Sequence, residues 1–300
     1  MPGVRYDGGV VARAALAASP ASEIREIPVA SGTAIVFSVS CPGSQGPNED
    51  AATVIDLDPQ RALLVVADGL GGRPGGEIAS GIAVSTLEEH VRSVPSGKES
   101  LRSAVLEAVD DANRRIMALG IGAGTTLAVV EVNGRSIRGY HVGDSEILAF
   151  GQRGRIKYQT VAHSPTAYAV ESGLLDEAEA MHHEDRHLVS NVIGDAGMRI
   201  EIGSWLTLAC RDTVVLGTDG LFDNLRLREI ASCTRTGVIK DAAERLASAC
   251  LRRMTHPSAD HPSKPDDLSF IIYRPAGRTG ADSSLPFASA RNLSSVRPAN

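Results

Sequence analysis

The chain of 300 residues contains no closely spaced pair of cysteines, no excess of positive charge and no apolar run long enough to span a bilayer. Its four cysteines lie far apart, so we expect reduced thiols and not a disulfide framework or a zinc site. The net charge of −6 indicates no basic surface for nucleic acid. These absences favour a cytoplasmic protein that binds neither nucleic acid nor membranes.

The composition indicates one folded domain between two flexible ends. The chain is 43% hydrophobic and 22% charged, which is the balance of a soluble globular protein. The N-terminal apolar run is interrupted by Arg13 and follows no basic region, unlike a signal peptide. The C-terminal end is rich in Ser, Ala, Arg and Pro. We therefore predict a flexible extension (1–30), one domain (31–275) and a disordered tail (276–300).

The order of short β-branched segments and amphipathic segments predicts the fold class. Strands are predicted at 33–40, 52–57, 62–67, 126–132, 136–142, 146–150, 155–160, 202–209, 213–217 and 268–273. Helices are predicted at 76–91, 99–119, 165–173 and 237–254. The dipeptide Asn133-Gly134 predicts a hairpin turn. Because strands and helices occur in pairs, we expect an α+β fold in which two antiparallel sheets pack face to face with helix pairs outside.

Acidic residues stand repeatedly at the ends of these strands. Apolar strands run directly into Asp68 and Asp219, each within an Asp-Gly-Leu sequence, and Asp144 follows another strand. Asp266 instead precedes the last strand. A single Asp-Gly after a strand is ordinarily a turn. If these positions share one edge of a sandwich, the carboxylates repel one another unless a cation lies between them. Oxygen ligands without His or Cys favour Mg²⁺, Mn²⁺ or Ca²⁺ over zinc.

Six short motifs occur in one order along the chain. They are NED (48–50), VADGLGG (66–72), GAGTT (122–126), HVGDS (141–145), TDGLFDN (218–224) and DDLSFII (266–272). As an ordered set they resemble the metal-dependent protein phosphatases of type 2C, the PPM family, over roughly residues 33–274. Segment 163–195 also looks like that family's helix and mobile flap. The resemblance implies an αββα sandwich that hydrolyses phosphoserine and phosphothreonine in proteins, with substrates made by Ser/Thr kinases.

The resemblance also implies a ligand set for two Mg²⁺ or Mn²⁺ ions. Asp68 would bridge both ions. Asp219 and Asp266 would complete one site, and the backbone carbonyl of Gly69 would help the other. A water activated by both ions would attack phosphorus in line without a phosphoenzyme.

Four more acidic residues match the family's pattern. Glu49 and Asp50 would hold metal-bound waters, and Asp144 and Asp223 match a third, weaker metal site. The expected catalytic set is Asp50, Asp68 and Asp219.

Several positions depart from the family's pattern. Gln45 stands where members often carry an arginine that grips the phosphate. Leu70 replaces a histidine that some members carry after Asp-Gly. Glu146 replaces the usual arginine after Gly-Asp-Ser, and Asp267 stands where an asparagine is usual. The loss of a bidentate arginine at position 45 predicts weaker substrate binding.

The histidines support structural interpretations better than functional ones. His141 lies in an apolar strand and is interpreted as a packed core residue, and His163 as a structural cap. His182, His183 and His187 cluster in the flap segment, where they are either exposed loop residues or proton donors near the substrate.

Three other functions stay open from the sequence. A pseudophosphatase would keep the fold as a binding module, although the three principal metal aspartates are retained. A related enzyme could instead act on small phosphate esters. A calcium-binding structural protein is disfavoured because the acids are scattered over strand ends and not gathered in one loop.

Overall fold

The computed structural model describes residues 24–94, 101–180, 183–258 and 260–277. The strands in these ranges are β1 (Arg25–Val29), β2 (Gly32–Val39), β3 (Asp50–Asp58), β4 (Arg61–Asp68), β5 (Leu127–Asn133), β6 (Ser136–Val142), β7 (Glu146–Phe150), β8 (Ile156–Gln159), β9 (Glu201–Ile202), β10 (Leu206–Thr207), β11 (Thr213–Gly217) and β12 (Leu268–Pro275). The helices are α1 (Gly76–Arg92), α2 (Leu101–Met117), α3 (Pro165–Glu171), α4 (Glu177–Ala180), α5 (Asp219–Phe222), α6 (Leu227–Thr234) and α7 (Ile239–Thr255), with a 3₁₀ turn at Glu184–His187.

The strands form two antiparallel sheets. The first sheet has the order β1-β2-β12-β11-β7-β8, and the second has the order β10-β6-β5-β4-β3, with β9 also paired to β6. Strand β4 shows why the central strands are apolar throughout. Its residues Leu63 and Val65 face one buried layer and Leu64 and Val66 face another, since successive side chains point to opposite faces.

Three apolar layers hold the sheets and helices together. One layer lies between the two sheets. The second joins α1 and α2 to the outer face of the second sheet, and the third joins α6 and α7 to the outer face of the first. The predicted α+β architecture, an αββα sandwich of two antiparallel sheets, is confirmed.

Strand β1 corrects the predicted start of the folded part. It lies within the segment assigned to a flexible extension, and its five residues all pair with β2. The turn between them is formed by Ala30 and Ser31, both with positive φ (37° and 59°). Asn, Asp and Gly are the usual residues in such turns. Pro28 lies within the strand, which is tolerated because β1 is at the edge of the sheet. Residues 1–23 and 278–300 lie outside the described residues.

Two other boundaries differ from the predictions. The 133–136 hairpin forms as expected, but its central residues are Gly134 and Arg135, because Asn133 pairs with Ser136. Gly134 has a φ of 58°, which glycine adopts without strain. The strand predicted at 202–209 is split into β9 and β10 by residues 203–205. Among the described residues, no helix combines the length and the apolar character needed to cross a membrane.

Candidate metal centre at the strand ends

Two neighbouring strands of the second sheet place Asp50 and Asp68 opposite one another. Asp50 begins β3, Asp68 ends β4, and the antiparallel register pairs them directly. The backbone of Asp68 is also fixed from the β5 side. Its N–H donates to Thr126 Oγ1 at 3.1 Å, and its carbonyl accepts from the Thr126 N–H at 2.8 Å and from Thr125 Oγ1 at 2.8 Å. The Gly-Thr-Thr sequence therefore positions the end of β4.

The first sheet brings Asp219 and Asp266 to the same edge of the sandwich. Asp219 follows the end of β11, and Asp266 precedes β12 by two residues. Since these strands are antiparallel neighbours, the end of one lies beside the start of the other. Thr218 Oγ1 donates to Asp50 Oδ2 at 2.9 Å, and the Thr218 N–H donates to the carbonyl of Ser269 at 3.0 Å. Thr218 thus joins the two sheets at this edge.

Two further carboxylates lie at the same edge. Asp144 is buried in the turn between β6 and β7, and Asp223 follows α5 directly. The turn is held by His163, whose N–H donates to the Gly143 carbonyl at 2.9 Å and whose Nδ1 accepts from the Gly143 N–H at 3.0 Å. We refer to these six residues as the carboxylate cluster: Asp50, Asp68, Asp144, Asp219, Asp223 and Asp266.

Burial and mutual repulsion favour the protonated acids in this cluster. Burial is the largest cause that raises the pKa of Asp68 well above its usual range, and the nearby carboxylates add to it. The carboxylates whose charges raise the pKa of Asp68 are those of Asp219, Asp50, Asp144 and Asp266. Burial and then the charges of Asp219 and Asp223 likewise raise the pKa of Asp144. Burial raises the pKa of Asp223 to about 6. The cluster therefore carries its full charge only when a cation compensates it.

The donors present fit a hard divalent cation. Asp50 Oδ1 is buried and has no hydrogen-bond partner among the described residues, which is uncommon for a buried polar atom. The six aspartates of the cluster offer only carboxylate oxygens as metal ligands, and Mg²⁺ and Mn²⁺ prefer oxygen ligands. Such an ion would supply the missing positive charge, and a water bound to it could supply the missing partner.

Lys264 also belongs to this site, although no pattern in the sequence predicts it. Its ammonium forms ion pairs with Asp219, with Asp223 at 3.4 Å and with Asp266 at 3.0 Å. The available signal was its position two residues before Asp266, but a lysine in a loop gives no reason by itself to expect a buried contact.

Glu49 and Gly69 lie where the end of β4 meets the start of α1. The Gly69 N–H donates to the Glu49 carbonyl at 3.0 Å. A Cβ on Gly69 would come within 2.3 Å of the Gly76 carbonyl, and one on Gly76 within 2.9 Å of Glu49 Oε1. Glycine is therefore required at position 69, where the contact would be with backbone, whereas at position 76 the Glu49 side chain would have to move. Their roles as ligands, through the Glu49 carboxylate and the Gly69 carbonyl, stay predictions.

The residues that depart from the family's pattern have defined surroundings. Asp267 uses both carboxylate oxygens, since Oδ1 accepts the Cys41 N–H at 2.7 Å and Oδ2 accepts the Glu49 N–H at 2.6 Å. An asparagine has only one such oxygen, so aspartate suits this position. Gln45 is exposed in the loop between β2 and β3, and Leu70 packs against Gly124.

The described histidines make structural hydrogen bonds. His141 is buried and bonds the Val161 carbonyl through Nε2 at 2.9 Å, as expected for a core residue. His163 lies beside the cap of α3, but the cap itself is Ser164, whose side chain accepts the Ala167 N–H. His183 caps the 3₁₀ turn. His182 and the side chain of His187 lie outside the described part of the chain.

A second group of possible metal ligands consists of His141, His163 and Glu201, whose ligand atoms lie within 4.8 Å of one another. Its hydrogen bonds argue against a metal. Nδ1 of His163 accepts from Gly143, so the proton resides on Nε2, which faces Glu201 at 3.3 Å. Nε2 of His141 donates to a carbonyl. Neither Nε2 atom then has a free lone pair for a cation.

The raised pKa values predict how the stability of metal-free protein depends on pH. Burial raises the pKa of Glu146, beside the cluster, to about 8. A folded state with raised carboxyl pKa values binds more protons than the unfolded chain, so its stability falls as pH rises through the folded-state pKa. We expect a higher melting temperature at pH 6.5 than at pH 8 in EDTA, measured by calorimetry.

The control for this measurement is Glu146→Gln, which should reduce the difference between the two pH values. Burial lowers the pKa values of His141 and His163 below the usual value, so these two groups make stability rise with pH. Their effect lies mostly below about pH 7, where the unfolded histidines still bind protons. A wild-type melting temperature that rises from pH 6.5 to pH 8 in EDTA would contradict the raised pKa values.

Most of the chain is similar in sequence to known proteins. Residues 39–256 match the model of the family described as Protein phosphatase 2C. A protein of Streptococcus pyogenes serotype M6 assigned to the protein phosphatase 2C type is 30% identical over 201 residues, which cover 65% of this chain and 81% of that protein. Protein phosphatase PhpP of Streptococcus pneumoniae strain D39 is 28% identical over 195 residues, which cover 62% of this chain and 78% of PhpP.

Solved structures show the same fold. The serine/threonine phosphatase Stp1 of Staphylococcus aureus superposes with a TM-score of 0.71 at 25% identity, covering 81% of this chain and 95% of Stp1. The catalytic domain of the phosphatase PstP, solved with two manganese ions, has a TM-score of 0.66 at 22% identity and covers 81% of this chain and 98% of that domain. At that identity the second likeness shows the fold alone.

Proposed function

Because this chain belongs to the protein phosphatase 2C family of serine/threonine phosphatases, we propose that its carboxylate cluster hydrolyses phosphoserine and phosphothreonine in proteins with two Mg²⁺ or Mn²⁺ ions. The observation that carries the proposal is the convergence of aspartates from both sheets at one edge of the sandwich. Phosphorylated proteins, the products of Ser/Thr kinases, are the proposed substrates. The cytoplasmic location stays a prediction from the sequence.

We assign each residue of the cluster a proposed role according to its position, either at the centre or on one of two sides. Two divalent ions, when bound, supply an acidified water nucleophile and neutralise charge on the phosphate. Asp68 is the proposed shared ligand because it ends β4 directly opposite Asp50 and lies close enough to Asp219 and Asp266 for their charges to raise its pKa. Asp219 and Asp266 are the proposed ligands on the first-sheet side. Asp144 and Asp223 are the proposed ligands for a third, weaker ion.

The opposite side is assigned to Glu49, Asp50 and the Gly69 carbonyl. Thr218 fixes one oxygen of Asp50 and leaves Oδ1 without a partner among the described residues. That oxygen can accept a hydrogen bond from a metal-bound water and so orient it. Asp50 therefore combines a fixed position with one available acceptor.

The environment of Cys41 disfavours a phosphocysteine route. Burial, followed by the charges of Asp266 and Asp267, raises the pKa of the Cys41 thiol. A raised pKa reduces the fraction of nucleophilic thiolate at neutral pH. The proposed route is therefore direct attack by water.

Phosphate release from a phosphothreonine peptide panel, with Mn²⁺ and with EDTA, tests the proposed function. We expect turnover with Mn²⁺, background release with EDTA and a lower kcat/KM for nucleotides and sugar phosphates. A preference for small phosphate esters would identify the enzyme as a small-molecule phosphohydrolase. The absence of any phosphatase activity with Mn²⁺ would support a pseudophosphatase.

Gln45→Arg is expected to lower KM for a phosphothreonine peptide by about three- to tenfold, with kcat changed less. The loop position is exposed, so the longer side chain can be accommodated, and a guanidinium can bind two phosphate oxygens. Steady-state kinetics with Gln45→Lys as the comparison would separate bidentate binding from charge alone. An unchanged KM in Gln45→Arg would show that this loop does not reach the phosphate.

A further inference from the structure

The ammonium of Lys264 lies among the outer carboxylates of the cluster. It contacts the Oδ2 atoms of Asp219, Asp223 and Asp266. These are the proposed metal ligands on the first-sheet side, together with one ligand of the third ion. A cation bound by the same oxygens would lie close to the ammonium nitrogen, and two positive charges at such short distances repel strongly in a partly buried site.

The main chain of Lys264 is held firmly. Its N–H donates to Asn224 Oδ1 at 2.9 Å, and its carbonyl accepts from Asn224 Nδ2 at 2.8 Å. Asn224 is fully buried and also donates to the Gly220 carbonyl at 2.9 Å. Residue 264 is thereby tied to the segment that carries Asp219.

The side chain of Lys264, in contrast, is partly exposed to solvent and flexible. It is 22% exposed, and its four-carbon stem is flexible, so the ammonium can leave the carboxylates for solvent while its main chain stays in place. The ammonium can therefore compensate part of the cluster's charge and can leave the carboxylates without unfolding the loop.

We propose that Lys264 is a tethered counter-ion of the metal centre, which holds Asp219, Asp223 and Asp266 together in the metal-free enzyme and is displaced when a divalent ion binds them. This inference rests on the proposed function, because it assumes that these aspartates bind metal. Two consequences follow. Lys264 stabilises the metal-free fold, and it weakens the affinity for the ion on that side of the cluster.

Lys264→Met tests both consequences, since methionine keeps an unbranched apolar stem without the charge. By isothermal titration calorimetry, we expect Mn²⁺ to bind the variant about tenfold more tightly at one site, which corresponds to about 1.4 kcal/mol. In EDTA the melting temperature should fall by roughly 5 °C, because three carboxylates lose their partner. Saturating Mn²⁺ should remove most of that difference.

Two further variants serve as controls. Lys157→Met removes another lysine–aspartate ion pair, in which Lys157 on strand β8 contacts Asp212 at 2.6 Å and neither residue belongs to the carboxylate cluster. It should lower the melting temperature equally with EDTA and with Mn²⁺, and leave the Mn²⁺ affinity unchanged. Lys264→Arg keeps the charge and should retain the weaker, wild-type affinity.

Labelling of the wild-type protein avoids any folding defect in the variants. Acetylation of lysines, read by mass spectrometry, should modify Lys264 several-fold faster with Mn²⁺ than with EDTA, while Lys157 reacts equally in both. This proposal alone is overturned if wild type and Lys264→Met bind Mn²⁺ with equal affinity. It is also overturned if Lys264 is acetylated at the same rate with Mn²⁺ and with EDTA. If Mn²⁺ binds neither protein, the metal centre of the proposed function fails, and this proposal fails with it.

Discussion

Asp219→Asn is expected to lower kcat/KM for a phosphothreonine peptide by at least about 100-fold at saturating Mn²⁺, since even residues that only support a ligand typically contribute 10- to 100-fold. Asp219 lies close to three other members of the cluster, since its charge raises the pKa values of Asp68, Asp144 and Asp266. Asparagine has nearly the same shape but lacks the negative charge that holds a divalent ion. The loss should therefore appear in activity and in Mn²⁺ affinity, with little change in the circular dichroism of the fold.

The matched control is Asp212→Asn, another aspartate with a buried side chain. Asp212 accepts from Lys157 and from the Ala209 N–H, and it has no contact with the cluster among the described residues. This variant should be less stable but should keep kcat within about twofold of wild type. Retention of more than a fifth of the activity by Asp219→Asn would refute the assignment of Asp219 as a metal ligand.

Gly220→Ala is the substitution with the largest expected effect on stability. A Cβ at this position would come within 1.9 Å of the Asp267 carbonyl oxygen, which is backbone and cannot move aside alone. Relief requires α5 to shift away from the start of β12, and the shift separates Asp219 from Asp266. We expect unfolding free energy to fall by about 2–3 kcal/mol or more, with activity lost at temperatures where the protein remains folded.

Gly81→Ala provides the comparison for the glycine substitution. Gly81 lies within α1, and apart from its chain neighbours and the backbone of its own helix, no heavy atom of the described residues lies within 4 Å of the Cβ that would be added. This variant should be neutral or more stable by about 0.5–1 kcal/mol, because alanine loses less backbone entropy than glycine in a helix. Chemical denaturation of both variants would measure the contrast, and equal stabilities would contradict the close packing at Gly220.

The sequence predicted most of the sandwich because its central strands and long helices carry strong periodic patterns. Strands β2 to β7 and helices α1, α2 and α7 lie close to their predicted positions. Strand β1 was missed because Ala30 and Ser31 form its turn without the usual turn residues. Helices α5 and α6 were missed because four and eight residues are too few to show a helical period.

The carboxylate cluster was predicted in part from strand ends alone. Asp68 and Asp219 could be placed together because each lies at or just after the end of an apolar strand, and Asp266 because it lies just before one. The contacts that organise these acids could not be predicted. Thr218 and Lys264 act through hydrogen bonds and ion pairs between segments far apart in the sequence, and a single threonine or lysine carries no local pattern that signals such a contact.

Anomalous diffraction at the manganese absorption edge, from crystals grown with Mn²⁺, tests the central claim most directly. We expect two strong peaks among the carboxylates of the cluster, both next to Asp68, with the ammonium of Lys264 displaced from Asp219. Manganese bound between His141, His163 and Glu201, or no peak beside Asp68, would contradict a binuclear metal centre at the strand ends.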